Sequence, residues 1–86
     1  MGEIRSVTFT QRFDEQFRKI ARTPLRERLE KQVSKIMRNP ELGKPLRYYH
    51  RGDRTTYVKP YRLIYRVEGD ALILINFQHR KEVYRA

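Results

Sequence analysis

Two helical stripes, back to back and separated by a single Thr-Pro step, constrain this chain more than anything else in it. Phe9, Phe13, Phe17, Ile20 and Ala21 recur at the three- and four-residue spacing of one helix face, while Gln11, Arg12, Asp14, Glu15, Arg18 and Lys19 occupy the other. Thr8, with Gln11 three residues on, has the form of a capping box, which predicts a helix start near there. At Thr23-Pro24 the pattern restarts, with a threonine cap followed by proline at the first helical position, where a missing N–H is no loss. Leu25, Leu29, Val33, Ile36 and Met37 form the second stripe. Asn39-Pro40 ends it, because the residue before proline is pushed out of the helical region. With only Arg22 and Thr23 to link them, the two helices fold back on each other as an antiparallel hairpin.

Everything outside that hairpin reads as strand. A first strand over residues 3–8 contains Ile4 and Val7. Leu46-Arg47-Tyr48-Tyr49 begins another, with His50-Arg51-Gly52-Asp53 as a turn after it. Arg54-Thr55-Thr56-Tyr57-Val58 is rich in β-branched and aromatic residues. Lys59-Pro60 interrupts it, and since proline cannot donate to a ladder, a bend or bulge is expected there. The strand pattern resumes at Tyr61-Arg62-Leu63-Ile64-Tyr65-Arg66-Val67, and Glu68-Gly69-Asp70 reads as a hairpin turn. Ala71 to Phe77 is almost continuously apolar, as suits a central strand covered on both faces for part of its length. No repeat or linker divides the 86 residues, a length that supports one small domain over 1–86. The expected fold class is α+β, ordered β-α-α-β-β-β, with the helix hairpin packed on one face of a mostly antiparallel sheet.

Strand alternation then separates two faces. Leu63, Tyr65 and Val67 share one, which the helices can bury, and Arg62, Ile64 and Arg66 share the other. Arginines on an open sheet face suit phosphate, whose oxygens match the planar fork of donors. The whole chain is basic, with 20 Lys and Arg against 10 Asp and Glu for a net charge of +10. That excess points to a polyanionic partner: nucleic acid, an acidic membrane surface or an acidic protein. Tyrosines at 48, 49, 57, 61, 65 and 84 interleave with the cations, the combination of charge and stacking faces that single-stranded nucleic acid requires. The plainer reading of Tyr57, Tyr61 and Tyr65 is core packing with the hydroxyl at the rim. The absence of cysteine excludes disulfides, thiolate metal sites and cysteine nucleophiles. His50 and His79 lack metal-ligand spacing, and no glycine-rich phosphate loop or nucleophile elbow occurs, so neither a metal nor a cofactor is expected. No apolar run is long enough to span a membrane, and the first residues lack the apolar core of a signal peptide. A cytoplasmic protein with no membrane partner is expected.

The strand Tyr61-Arg62-Leu63-Ile64-Tyr65, a glycine hairpin, an apolar strand and the closing His79-Arg80-Lys81-Glu82-Val83-Tyr84-Arg85 together resemble the RelE/ParE toxin superfamily over essentially the whole chain. The resemblance implies a RelE-like fold and a toxin of a type II toxin–antitoxin pair. It implies a metal-independent endoribonuclease that cuts mRNA in the ribosomal A site, the ribose 2′-hydroxyl attacking the adjacent phosphate. Carried over by position, Arg62 matches the arginine at the scissile phosphate. Arg80 matches the arginine that stabilises charge or protonates the leaving group, and Tyr84 the C-terminal tyrosine that orients the nucleotide. Arg54, Lys59, Arg66, His79 and Lys81 are candidates for contact with RNA or the ribosome. The implied partners are the ribosome with its mRNA, and a cognate antitoxin that covers or distorts this surface.

One feature departs from the family. Strongly nucleolytic members carry lysines on the strand before the conserved arginine, one of them the base. Here that strand offers basic groups only at Arg54 and Lys59, so the general base stays open between them. His79 has the better intrinsic chemistry for proton transfer near neutrality. If the strand runs through Gln78, however, it points away from the basic face. If a helical turn begins at Arg80, then Arg80 and Tyr84 stand on one side of it. Two alternatives remain: a ParE-like inhibitor of DNA gyrase, and a non-catalytic basic module that binds RNA or the ribosome.

Overall fold

The computed structural model describes residues 3–47 and 52–83. In chain order the elements are β1 (Ser6–Phe9), α1 (Gln11–Ile20), α2 (Leu25–Arg38), β2 (Lys44–Pro45), β3 (Asp53–Val58), β4 (Tyr61–Glu68), β5 (Ala71–His79) and α3 (Arg80–Val83). The strands form one sheet in the order β1-β5-β4-β3-β2. β1 runs parallel to β5, and the other pairings are antiparallel. The expected helix pair on a mostly antiparallel sheet holds.

The stripes bury as anticipated. Phe13 and Ile20 from α1, and Leu29 and Ile36 from α2, meet Leu63, Tyr65, Leu72, Leu74 and Phe77 from β4 and β5 in one core. Pro24 has helical angles, and the Thr23 hydroxyl accepts from the Leu25 N–H at 3.3 Å, so this step opens α2 as the sequence predicts. The helix stops at Arg38, with Asn39 at φ −141° leading into Pro40. Gln32 ties α2 to the sheet, its Nε2 donating to Thr56 Oγ1 at 2.6 Å.

The start of α1 differs from the expectation. The cap is Thr10, not Thr8: its Oγ1 accepts from the Phe13 N–H at 3.1 Å. Phe9 belongs to β1 and pairs with Leu74, because the parallel ladder with β5 runs one residue further than the apolar spacing suggests. Its ring stays 56% exposed. The same threonine donates to the Ile75 carbonyl at 2.7 Å, and Gln16 Oε1 accepts from the Phe77 N–H at 2.6 Å. α1 thereby satisfies the edge of β5 beyond the end of β1, a stretch of backbone that would otherwise lie open.

Three further details shape the sheet. The expected bend at Lys59-Pro60 is a complete reversal: Val58 pairs with Tyr61, so β3 and β4 are separate strands joined by two residues that need no ladder donor. The strand expected from Leu46 is instead the short edge strand β2, where Pro45 suits a position with an unpaired side; Tyr48, Tyr49, His50 and Arg51 lie outside the described residues. In β5 the ladder skips Ile75, since Ile64 pairs with Asn76 but Tyr65 with Leu74. This bulge changes the phase of the strand, so that Leu72, Leu74 and Phe77 all reach the core. Among the described residues no helix is long and apolar enough to cross a membrane.

Candidate functional site

The face of the sheet away from the helices is organised in three cross-strand rows. Tyr57, Arg62 and Gln78 form the first, Thr55, Ile64 and Asn76 the second, and Asp53, Arg66 and Ile73 the third. Directly paired residues point to one side, so the register places Arg62 and Arg66 together on this face, as their alternation predicts.

The two arginines sit in opposite electrostatic settings. Arg66 Nε donates to Asp53 Oδ1 at 2.6 Å, and its Nη1 lies 3.6 Å from Glu68 Oε1. Asp53 is only 5% exposed, so the pair ties the start of β3 to β4. The hydrogen bond and charge of Asp53 raise the Arg66 guanidinium pKa further above its ordinary value. Arg62 Nε instead donates to Thr55 Oγ1 at 2.9 Å. That hydroxyl is itself oriented, because it donates to the Leu63 carbonyl at 3.2 Å and leaves a lone pair for the arginine. Among the described residues no carboxylate forms an ion pair with Arg62, Arg80 or Lys59.

Arg80 opens α3, the helical turn on which its pairing with Tyr84 depends; Tyr84 lies outside the described residues. The Arg80 N–H donates to the Pro60 carbonyl at 2.8 Å, docking the turn of helix onto the β3–β4 reversal. Tyr57, Lys59, Pro60 and Arg80 line a cleft of about 440 Å³ at this corner. The Tyr57 ring is 53% exposed and stands directly across from Arg62.

The remaining candidates separate from this corner. Arg54 is on the helix side of the sheet, paired with Tyr65, and its Nη1 donates to the Gly43 and Glu41 carbonyls at 2.7 and 3.4 Å. It fastens the segment after α2. His79 pairs with Tyr61 and sits edge-on to that ring at 5.4 Å, also on the helix side. Its Nδ1 accepts from the Lys81 N–H at 3.1 Å, so the neutral ring carries its proton on Nε2 and caps α3. The Lys81 side chain is exposed beside it.

Tyr57 departs from its plainer reading as a core residue, and the sequence did not place it among the site candidates. Its signal was present: a two-residue reversal at Lys59-Pro60 fixes Tyr57 opposite Arg62 and sends Arg54 to the other face. Tyr65 and Tyr61 do follow the plain reading. Tyr65 is fully buried, donating to the Pro40 carbonyl at 2.9 Å and accepting from the Gly43 N–H at 2.8 Å. Burial raises its phenol pKa against the lowering pull of that N–H and of Arg54. Tyr61 stacks on Phe77 at 4.7 Å. Among the described residues no cluster of three or more metal-ligating side chains occurs.

A helix pair covering one face of a mixed five-stranded sheet is the fold this chain shares with solved toxins of the RelE/ParE superfamily. The YoeB/ParE toxin from Agrobacterium tumefaciens superposes with a TM-score of 0.79 at 20% identity, covering 87% of this chain and 98% of that one. YafQ from E. coli gives 0.75 at 16%, with 93% and 98% covered. The RelBE2 toxin–antitoxin complex from Mycobacterium tuberculosis gives 0.66 at 28%, with 87% and 90% covered. The model of the ParE toxin of type II toxin–antitoxin systems matches residues 7–84, and the chain belongs to that family. No curated protein matches it in sequence.

Proposed function

We propose that this toxin halts translation in the cytoplasm as a ribosome-dependent, metal-independent mRNA endoribonuclease. The observation that carries the reading is the corner itself. Arg62, Arg80 and Lys59 stand around an exposed aromatic, and among the described residues no carboxylate pairs with them, whereas Arg66 on the same face holds Asp53 and Glu68. In the reaction the ribose 2′-oxygen bonds to the adjacent phosphorus and the bond to the 5′-oxygen breaks. The hydroxyl proton goes to a base, and the leaving oxygen takes up a proton. Arg62, held by Thr55, grips the phosphate. Arg80 meets the charge that grows on it, and Tyr84 orients the nucleotide. One such donor is worth about 10²–10³ in rate. Between the two candidates for the base, Lys59 stands at the cleft and Arg54 is committed to carbonyls on the other face. Arg66, His79 and Lys81 then serve the frame of the site more than the phosphate.

A cognate antitoxin is the second partner, a reading supported by similar structures that are toxin–antitoxin complexes. The net charge of +10 suits an acidic segment as well as rRNA. The match to the ParE model favours gyrase inhibition as the second reading.

The test is primer extension on an mRNA in a translating extract, wild type beside Arg80→Ala. Cuts at A-site codons that are absent from naked RNA and lost in the variant support the nuclease. An intact message together with blocked supercoiling by purified protein assigns the toxin to gyrase.

A further inference from the structure

We propose that Tyr57 is the stacking platform for the base beside the scissile phosphate, an inference that deepens the RNA reading and rests on it. Three observations point to the ring. First, Tyr57 lies near the end of β3, beyond the residues that β2 pairs, and is 53% exposed, while the Tyr61 and Tyr65 rings are taken up by Phe77 and the core. Second, among the described residues the Tyr57 ring has no aromatic neighbour and its hydroxyl no hydrogen bond. A half-exposed ring with no aromatic partner among the described residues contributes less to the fold than the buried Tyr65. Third, it lines one cleft with Lys59 and Arg80 and stands across from Arg62. Cations beside an exposed ring take the phosphates while the ring takes a base, in whatever sequence the strand presents.

The role belongs to the face of the ring and not to its hydroxyl, since no neighbour among the described residues orients that hydroxyl as a donor or an acceptor. Removing the ring therefore weakens substrate binding by about 5- to 150-fold, the range for one stacked base. Removing only the hydroxyl changes it by less than about twofold.

The experiment uses the full chain and ribosomes programmed with an mRNA whose A-site codon carries 2′-O-methyl riboses, which cannot be cut. Affinity is measured for wild type, Tyr57→Phe and Tyr57→Thr, on the normal codon and on one with an abasic nucleotide. Threonine keeps the strand preference without the ring, and melting temperature reports the fold. The expected result is that phenylalanine binds like wild type, threonine binds 5- to 150-fold more weakly, and the abasic codon abolishes the difference. A threonine variant that binds like wild type overturns the proposal. So does a phenylalanine variant as weak as threonine, or a penalty that persists on the abasic codon. Failure of the parent reading looks different: wild type then leaves an unmodified message whole in the extract, and the Tyr57 assignment falls with it.

Discussion

Arg62 and Arg66 share a strand and a face, about 13 Å apart at the rise of an extended chain, yet they do opposite things. Arg66 is held by Asp53 at 2.6 Å and approached by Glu68, so its charge is spent within the fold. Arg62 leans on a neutral hydroxyl and faces Tyr57 across the ladder. An arginine on an open face is thus not yet a phosphate ligand. The carboxylates within its reach decide whether the charge is available outside.

The sharpest way to break this contrast is to remove each arginine in turn. Arg62→Ala or Arg80→Ala should lower mRNA cleavage by about 10²–10³ with an unchanged melting curve. Arg66→Ala should do the reverse, lowering the melting temperature because the buried Asp53 loses its 2.6 Å bond to the guanidinium, with cleavage per folded molecule near wild type. If Arg66→Ala is the variant that abolishes cleavage without loosening the fold, the contrast is wrong.

The next effect lies on the covered face. Tyr65→Phe leaves the Gly43 N–H and the Pro40 carbonyl without their partner and should cost about 1–3 kcal/mol in denaturant unfolding. The raised phenol pKa adds a pH signature. A proton held more tightly in the folded chain stabilises fully below the unfolded value, about 10, and that stability is lost as pH rises through the folded value. Wild type should therefore weaken in the alkaline range by a component that Tyr65→Phe lacks. A smaller effect tests how Arg62 is aimed: Thr55→Val should reduce cleavage on the order of tenfold with little change in stability. Smallest of all, His79→Ala removes the acceptor for the Lys81 N–H and should cost roughly 0.5 kcal/mol, with cleavage down by about two- to threefold.

Most of the frame was legible in the sequence because local rules wrote it. The Thr23-Pro24 and Asn39-Pro40 boundaries, both helix stripes and the split of Leu63 and Tyr65 from Arg62 and Arg66 all follow from spacing within a few residues. What escaped depends on partners distant in sequence. β1 extends through Phe9 because β5 is there to receive it, and Thr10 caps α1 while also binding Ile75. The site divides the same way. Arg62 and Arg80 could be put forward as candidates from their motifs, but the exposure of Tyr57 across from Arg62, the ion pairs of Arg66 and the turning away of Arg54 are properties of pairs. Such pairs exist only once Lys59-Pro60 is known to reverse the chain.

The skipped Ile75 sets a rule for how genes of this shape can drift. Codons gained or lost in the turns at 59–60 or 69–70 only lengthen or shorten a loop tip. A codon lost at 75 would remove only the bulge and leave the pairings of Leu74 and Asn76 in place, whereas one gained between 76 and 77 would rotate everything after it by half a turn. Phe77 would leave the core, His79 would emerge on the basic face, and Arg80 would enter its helical turn from the wrong side. In an insertion scan, this point inside the last strand should therefore be far less permissive than either hairpin tip, while loss of Ile75 should be tolerated better than loss of its paired neighbours.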